Sequence, residues 1–348
     1  MFKGRIFLLD VLRVLAATSV MVYHFSGRWG RWYATKDHPV SYFQAHPDSI
    51  FTQVATAGFM GVFVFFIISG FVIPFTALRS DYKSFAKARA IRIFKPFLPI
   101  LFLTWIASFF VYGHTKFNSL EAFLTSLIIT PFQTNASTSV MGSAWTLYHE
   151  VYFYSLIFLT LLIFPKQVKK YQGNFLALIG ILWYALIYLS TVFNIKTGML
   201  FDSYYAPFFI TGLLLNAILE KRRWYLIPPA IFIIRQDFLI VQAKSSNETN
   251  ATGLTTMISV LIILFTIFAL YLATKIKVGP KLSKKINFFG LASYPIYLIQ
   301  DTIGLLIFLN LSKLLSFPIS LTLSIIAVFI LASGYQYFFD KPKVKKDI

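Results

Sequence analysis

Asp10, Arg13 and His24 fall inside an otherwise apolar run from Ile6 to Phe25. An ionisable group in a membrane helix is costly, so it usually faces the protein interior and has a partner or a task. At 100° and 1.5 Å per residue, the eleven residues from Arg13 to His24 put both on one helix face, about 16 Å apart. Ala17 and Val20 lie between them. Such a stripe can hold an anion at its guanidinium end and accept a proton at its imidazole end. The plainer alternative is an i,i+3 ion pair of Asp10 with Arg13, whose stem reaches toward the headgroups, and a structural hydrogen bond for His24.

Two further segments carry chemistry. Trp145-Thr146-Leu147-Tyr148-His149-Glu150 opens another apolar run, and it is expected to bring Glu150 to the depth of His24, where a carboxylate could orient an imidazole base. An interfacial aromatic belt would also explain its Trp and Tyr. No histidine follows His149-Glu150 at metalloprotease spacing, and with no cysteine in the chain no metal site is expected. Phe85 to Pro96 read as a helix places Arg89 and Arg92 on one face with Lys95 a turn on. Paired guanidiniums suit phosphates, although positive charge flanking a membrane span is the commoner reason for such a loop.

The elements that must position these groups follow from composition. Of 348 residues, 57% are hydrophobic, 18% aromatic and 13% charged, well under the ~25% charge of soluble domains. The 32 Lys and Arg exceed the 13 Asp and Glu by 19, without the polar surface on which nucleic-acid binders carry their charge. Helices of ~20 apolar residues span a bilayer, which predicts spans near 6–25, 58–78, 94–112, 144–164, 174–194, 204–219, 224–241, 254–274, 288–310 and 317–339. Residues 121–132 form a shorter re-entrant or interfacial helix. The first run has spanning length and no small-x-small cleavage pattern, so it reads as a retained helix.

Ten spans put both termini on one side, and alternating the loops places 23 basic residues on that side and 7 on the other. This bias predicts cytoplasmic termini in a multi-pass protein of the cell membrane. The expectation is an all-α polytopic fold with one membrane domain over 1–348.

Taken in order, these pieces resemble the acyltransferase-3 family of integral membrane acyltransferases. Leu9-Asp10-Val11-Leu12-Arg13 with His24 is similar to its Arg-x10-His pattern. Gly61 to Phe71, with Ser69-Gly70, looks like its FFxISGF helix, and Arg89-Ala90-Ile91-Arg92 like its RxxR. Trp145-Thr146-Leu147 with Glu150 and Phe153-Tyr154 resembles WSLxxExxFY, and Ser293-Tyr294-Pro295-Ile296-Tyr297-Leu298 its SYxxYL element. The sequence departs from the family at Gln300, where histidine is frequent, and at Asp340-Lys341-Pro342, where Glu-x-Pro is frequent. Glutamine can hydrogen-bond there but cannot exchange a proton near neutral pH.

The resemblance implies an O-acyltransferase that uses cytosolic acyl-CoA, acetyl-CoA by default, and needs no metal. The acceptor would be a hydroxyl of an envelope polysaccharide or lipid-linked glycan, with polysaccharide-synthesis machinery as a partner. On this reading Arg89 and Arg92 bind the donor's phosphates, Arg13 orients its arm, His24 is the base and Glu150 its orienting partner. Asp10, Ser69, Trp145 and Tyr294 support them. Direct transfer and an acyl-histidine intermediate both remain open. A transporter or flippase for a lipid-linked or glycan substrate is the competing class, although the ionisable residues lie toward the helix ends rather than at the midplane usual for carriers. For the acceptor, loop 26–57 offers Trp29, Trp32, Tyr33, His38, Tyr42 and His46, groups that stack on sugars or anchor at an interface.

Overall fold

The computed structural model describes residues 7–28, 42–112, 118–127, 140–195, 205–221, 223–248, 251–276 and 279–339, and every regular element among them is helical. Helix α1 (Phe7–Tyr23) continues into a wider π turn at His24–Arg28; α2 (Tyr42–Ala45) and α3 (Ile50–Thr56) lead through a 3-10 turn to α4 (Met60–Ala77). Then come α5 (Tyr82–Tyr112), α6 (Leu120–Leu127), α7 (Trp145–Ile163), α8 (Pro165–Tyr171), α9 (Gly173–Val192) and α10 (Ala206–Lys221). The chain closes with α11 (Ile227–Ser246), α12 (Gly253–Ala273), α13 (Pro280–Ile299), α14 (Thr302–Ser312) and α15 (Phe317–Phe339). Trp29, Trp32, Tyr33, His38 and Asp340-Lys341-Pro342 lie outside the described residues.

The described residues of the ten expected segments are largely helical, with 288–310 broken at Gln300-Asp301, and the segments are not alike. Among the described residues, eight helices are long and apolar enough to cross a bilayer, and a bent pair, Lys285–Ile299 with Thr302–Ser312, makes nine if counted as one span. Ala206–Glu220 is a shorter apolar helix. The chain is an all-α polytopic membrane protein.

Helix α4 is central. The span containing it is 78% buried, against 50% or less in each of the others. Its sequence, MGVFVFFIISGFVIPFTA, is apolar all round, as expected of a helix surrounded by protein. The outer helices are patterned the other way. Helix α12 turns Thr255, Ser259 and Thr266 inward and exposes Met257, Leu261, Leu264 and Phe268. Small and polar residues let helices approach and bond, while lipid takes the large apolar side chains.

Ser69-Gly70 does not break α4. Gly70 meets Gly212 of α10 so closely that a Cβ on Gly70 would overlap the Phe209 carbonyl, and one on Gly212 the Ile67 carbonyl. Overpacking typically costs about 1–3 kcal/mol, so Gly70→Ala should lower the melting temperature of the detergent-solubilised protein. An unchanged melting curve would deny the contact.

The basic helix expected at 85–96 and the span expected at 94–112 are one helix, α5, with Pro96 and Pro99 inside it. Its start is fixed by Asp81, whose Oδ1 accepts the Ser84 N–H at 2.7 Å. That bond holds the Asp81 carboxyl below its ordinary value. The cap is therefore formed at neutral pH and is lost in acid as the pH falls through that lowered value.

Candidate active site

One cavity, with about 600 Å³ of empty space, draws its wall from α1, α4, α5, α7 and α13. Arg13, Ser69, Arg92, Glu150 and Tyr294 all line it. They come from five different helices, so the fold gathers most of the candidate residues into one place.

Arg13 enters from α1. Its Nη1 donates to Asp10 Oδ1 at 3.1 Å, and Asp10 is 1% exposed. Helix α13 packs on this pair so tightly that a Cβ on Gly290 would overlap the Asp10 side chain. Glu150 Oε2 accepts the Tyr154 hydroxyl at 3.0 Å and lies within electrostatic reach of Arg92, Arg89 and Arg13. Arg89 does not line the cavity; its guanidinium lies 5.8 Å from the Phe85 and Tyr154 ring centroids, with a long 3.5 Å contact to Thr76 Oγ1. Arg92, one turn on, is exposed at the cavity wall. The Tyr294 hydroxyl donates to the Ile93 carbonyl at 3.4 Å, tying α13 to α5.

The expected pairing of Glu150 with His24 is not what the structure shows. Helices α1 and α4 run antiparallel, with Ala16 against Gly61 and Ser19 against Gly58. Ser69 and Phe66, which share the cavity with Glu150, lie past Gly61 on the side of Arg13. His24 lies beyond Ser19 in the opposite direction, so Glu150 is at the level of Arg13. Depth estimated from the apolar run alone does not include where α7 begins, and that start sets the level of Glu150.

His24 sits where α1 widens into the π turn, a distortion frequent at functional sites. Its Nδ1 is 2.9 Å from Gln300 Oε1, and its ring neighbours Tyr23, whose hydroxyl donates to Glu248 at 2.8 Å. Gln300 ends α13 at the bend, where the helix axis turns by 72° into α14. Asp301 holds the bend by accepting the Ser143 N–H at 2.7 Å. The stripe on α1 from Arg13 to His24 thus runs beside a stripe on α13, with Ser293 and Tyr297 in the cavity wall and Gln300 a turn beyond.

Trp145 does not line the cavity. With Phe66 and Tyr205 it packs around His149, ring centroids 4.5–6.1 Å away, and so holds the start of α7. Among the described residues, no group of three or more His, Asp or Glu could hold a metal ion.

Gln300 stands out in the sequence only as a departure from the family pattern, and Asp301 and Glu248 carry no signal there; the bend that sets Gln300 and Asp301 at a helix end appears only in the structure. Asp237 lies within the expected span 224–241 and has no motif around it. It is fully buried in mid-helix α11 and accepts the Thr211 hydroxyl at 2.5 Å. Thr211→Val should destabilise the protein by about 1–3 kcal/mol by stranding that buried carboxyl, read as a lower melting temperature; no change would make the bond idle.

The class is that of a polytopic membrane protein with a charged cavity among its spanning helices and an imidazole a helix stripe away. Residues 6–335 match the acyltransferase-3 model, described as an acyltransferase domain. The chain belongs to that family and is a membrane acyltransferase transferring groups other than aminoacyl groups. Neither curated proteins nor solved structures show a significant match.

Proposed function

We propose that the enzyme transfers an acyl group from acyl-CoA, acetyl-CoA first among them, to a hydroxyl of an envelope polysaccharide or lipid-linked glycan. The observation that carries this reading is the cavity itself: Arg13, Arg92 and Glu150 at one end of two parallel stripes whose other end is the His24–Gln300 pair. An anionic donor suits the arginine end. The charge bias of the loops makes that end cytoplasmic, with both termini there and the protein in the cell membrane.

Each residue then has a task. Arg92, exposed at the wall, takes a phosphate, and Arg89 reinforces the positive field from its aromatic seat. Arg13, held by Asp10, orients the donor's arm. Glu150 offsets the three guanidiniums and keeps them from repelling one another, in place of the imidazole-orienting role expected from sequence. His24 accepts the acceptor's hydroxyl proton as the oxygen attacks the thioester carbonyl. Ser69 and Tyr294 shape the wall, and Trp145 holds α7 in position.

Purified protein in lipid nanodiscs tests the donor. Charge-assisted hydrogen bonds contribute about 1.5–3 kcal/mol, so Arg92→Ala should weaken acetyl-CoA binding by roughly ten- to a hundredfold. Arg89→Ala should weaken it less. Binding unchanged in both variants would leave these arginines as an orientation signal and defeat the acyl-CoA reading. Movement of a lipid-linked glycan across the bilayer without its acylation would favour the carrier.

A further inference from the structure

We infer that Gln300 is a working part of the reaction centre: its amide oxygen sets the His24 tautomer, and its amide N–H donates to the acyl carbonyl oxygen as that oxygen becomes anionic. The inference rests on the reading of His24 as the proton acceptor.

Gln300 is 0% exposed. One end of its amide is engaged, Oε1 with His24 Nδ1 at 2.9 Å. The other end, Nε2, is buried with no hydrogen-bond partner. Stranding a buried donor costs about 1–3 kcal/mol, and native structures keep few such groups without a reason. A donor that waits for a substrate oxygen is such a reason.

The placement supports this. Ser293, Tyr297 and Gln300 stand at i, i+4 and i+7, on one face of α13, and the first two line the cavity. Gln300 is thus the next group that a substrate following that face would meet, and His24 is beside it. Its backbone is fixed independently of its side chain. The Gln300 N–H donates to the Ile296 carbonyl at 3.0 Å, Asp301 is tied to the Ser143 N–H, and the Tyr297 hydroxyl reaches the Ser143 carbonyl at 3.4 Å. A donor held on a rigid frame needs no reorganisation when charge develops, which is the condition for electrostatic stabilisation of a transition state.

The step balances. The acceptor oxygen bonds to the carbonyl carbon while its proton passes to His24 Nε2, which holds the ring's basic lone pair because Nδ1 carries the hydrogen given to Gln300 Oε1. The carbonyl π pair moves onto its oxygen, where the Gln300 N–H meets it. Collapse re-forms the carbonyl and breaks the C–S bond, and the proton goes on to the sulfur of the departing CoA thiol.

Two variants separate the two halves. Gln300→Met keeps the size and removes both functions; Gln300→Glu keeps an acceptor for His24 and removes the donor. In nanodiscs with labelled acetyl-CoA and endogenous glycan, Gln300→Met should lower kcat by about 10²–10³, the usual loss of one such donor, with KM for acetyl-CoA little changed. A carboxylate beside an imidazole favours its charged form. Gln300→Glu should therefore need higher pH to reach its plateau, and that plateau should stay well below wild type. A Gln300→Glu plateau equal to wild type would overturn the donor role.

The tautomer is read without turnover, from ¹⁵N-histidine spectra: hydrogen on Nδ1 of His24 in the wild type, lost as a preference in Gln300→Met. Hydrogen on Nε2 in the wild type would overturn the assignment. The outcomes also separate the two readings. An active His24→Ala sinks His24 as the base, whereas an inactive His24→Ala beside a fully active Gln300→Glu sinks only Gln300.

Discussion

His24→Ala should abolish most acyl transfer while leaving the donor bound. General-base catalysis by a positioned side chain contributes about 10²–10⁴-fold, and a methyl group supplies none of it. Arg13 lies about 16 Å along α1 from His24, so on the proposed reading acetyl-CoA affinity should stay near wild type. The fold should also survive. The hydrogen bond to Gln300 is lost, a net cost of about 1 kcal/mol, and His24 is only half-buried. The measurement is paired: calorimetric acetyl-CoA binding and labelled acyl transfer on the same nanodisc preparation. Transfer at the wild-type rate would remove His24 from the chemistry, whatever the binding result.

Arg13→Leu should fail in two ways at once. Asp10 is 1% exposed and bonded to Arg13, and removing one partner of a buried pair typically costs about 3–5 kcal/mol, because a charge is left uncompensated. Poor folding is therefore expected from the single variant. Adding Asp10→Asn removes the stranded charge. The double variant should recover the melting temperature to within about 1–2 kcal/mol of wild type, since replacing both members of a buried pair is often close to neutral. It should still transfer acyl groups poorly, because the cavity has lost the guanidinium that α1 points into it. Stability recovered together with full activity would make Arg13 a structural residue only, and would move the donor's anchor to Arg92 and Arg89.

Much of this protein was legible in its sequence. Runs of about twenty apolar residues report the bilayer directly, since the solvent dictates their length and composition. An ionisable residue in such a run stands out for the same reason, and Asp10, Arg13 and Glu150 do so. The stripe from Arg13 to His24 followed from helical periodicity alone, and α1 keeps it up to the π turn at His24.

What one helix presents to another was not legible. By sequence Glu150 and His24 share one depth, yet depth along α7 is set by where its N-terminus is pinned, and Asp301 pins it through Ser143. The position of Gln300 depends on a 72° bend, and the sequence marks that place only by the polar pair Gln300-Asp301 within the expected span. Asp237 meets Thr211 where α10 packs between α4 and α11. The sequence alone determined the membrane class, the all-helical architecture and most of the cavity's charged residues, because solvent and covalent periodicity act locally. The partners of His24 and Asp237, and the three guanidiniums that face Glu150, were decided only by the tertiary structure, because a contact between helices depends on their ångström-level offset, and that offset comes from packing along their whole length.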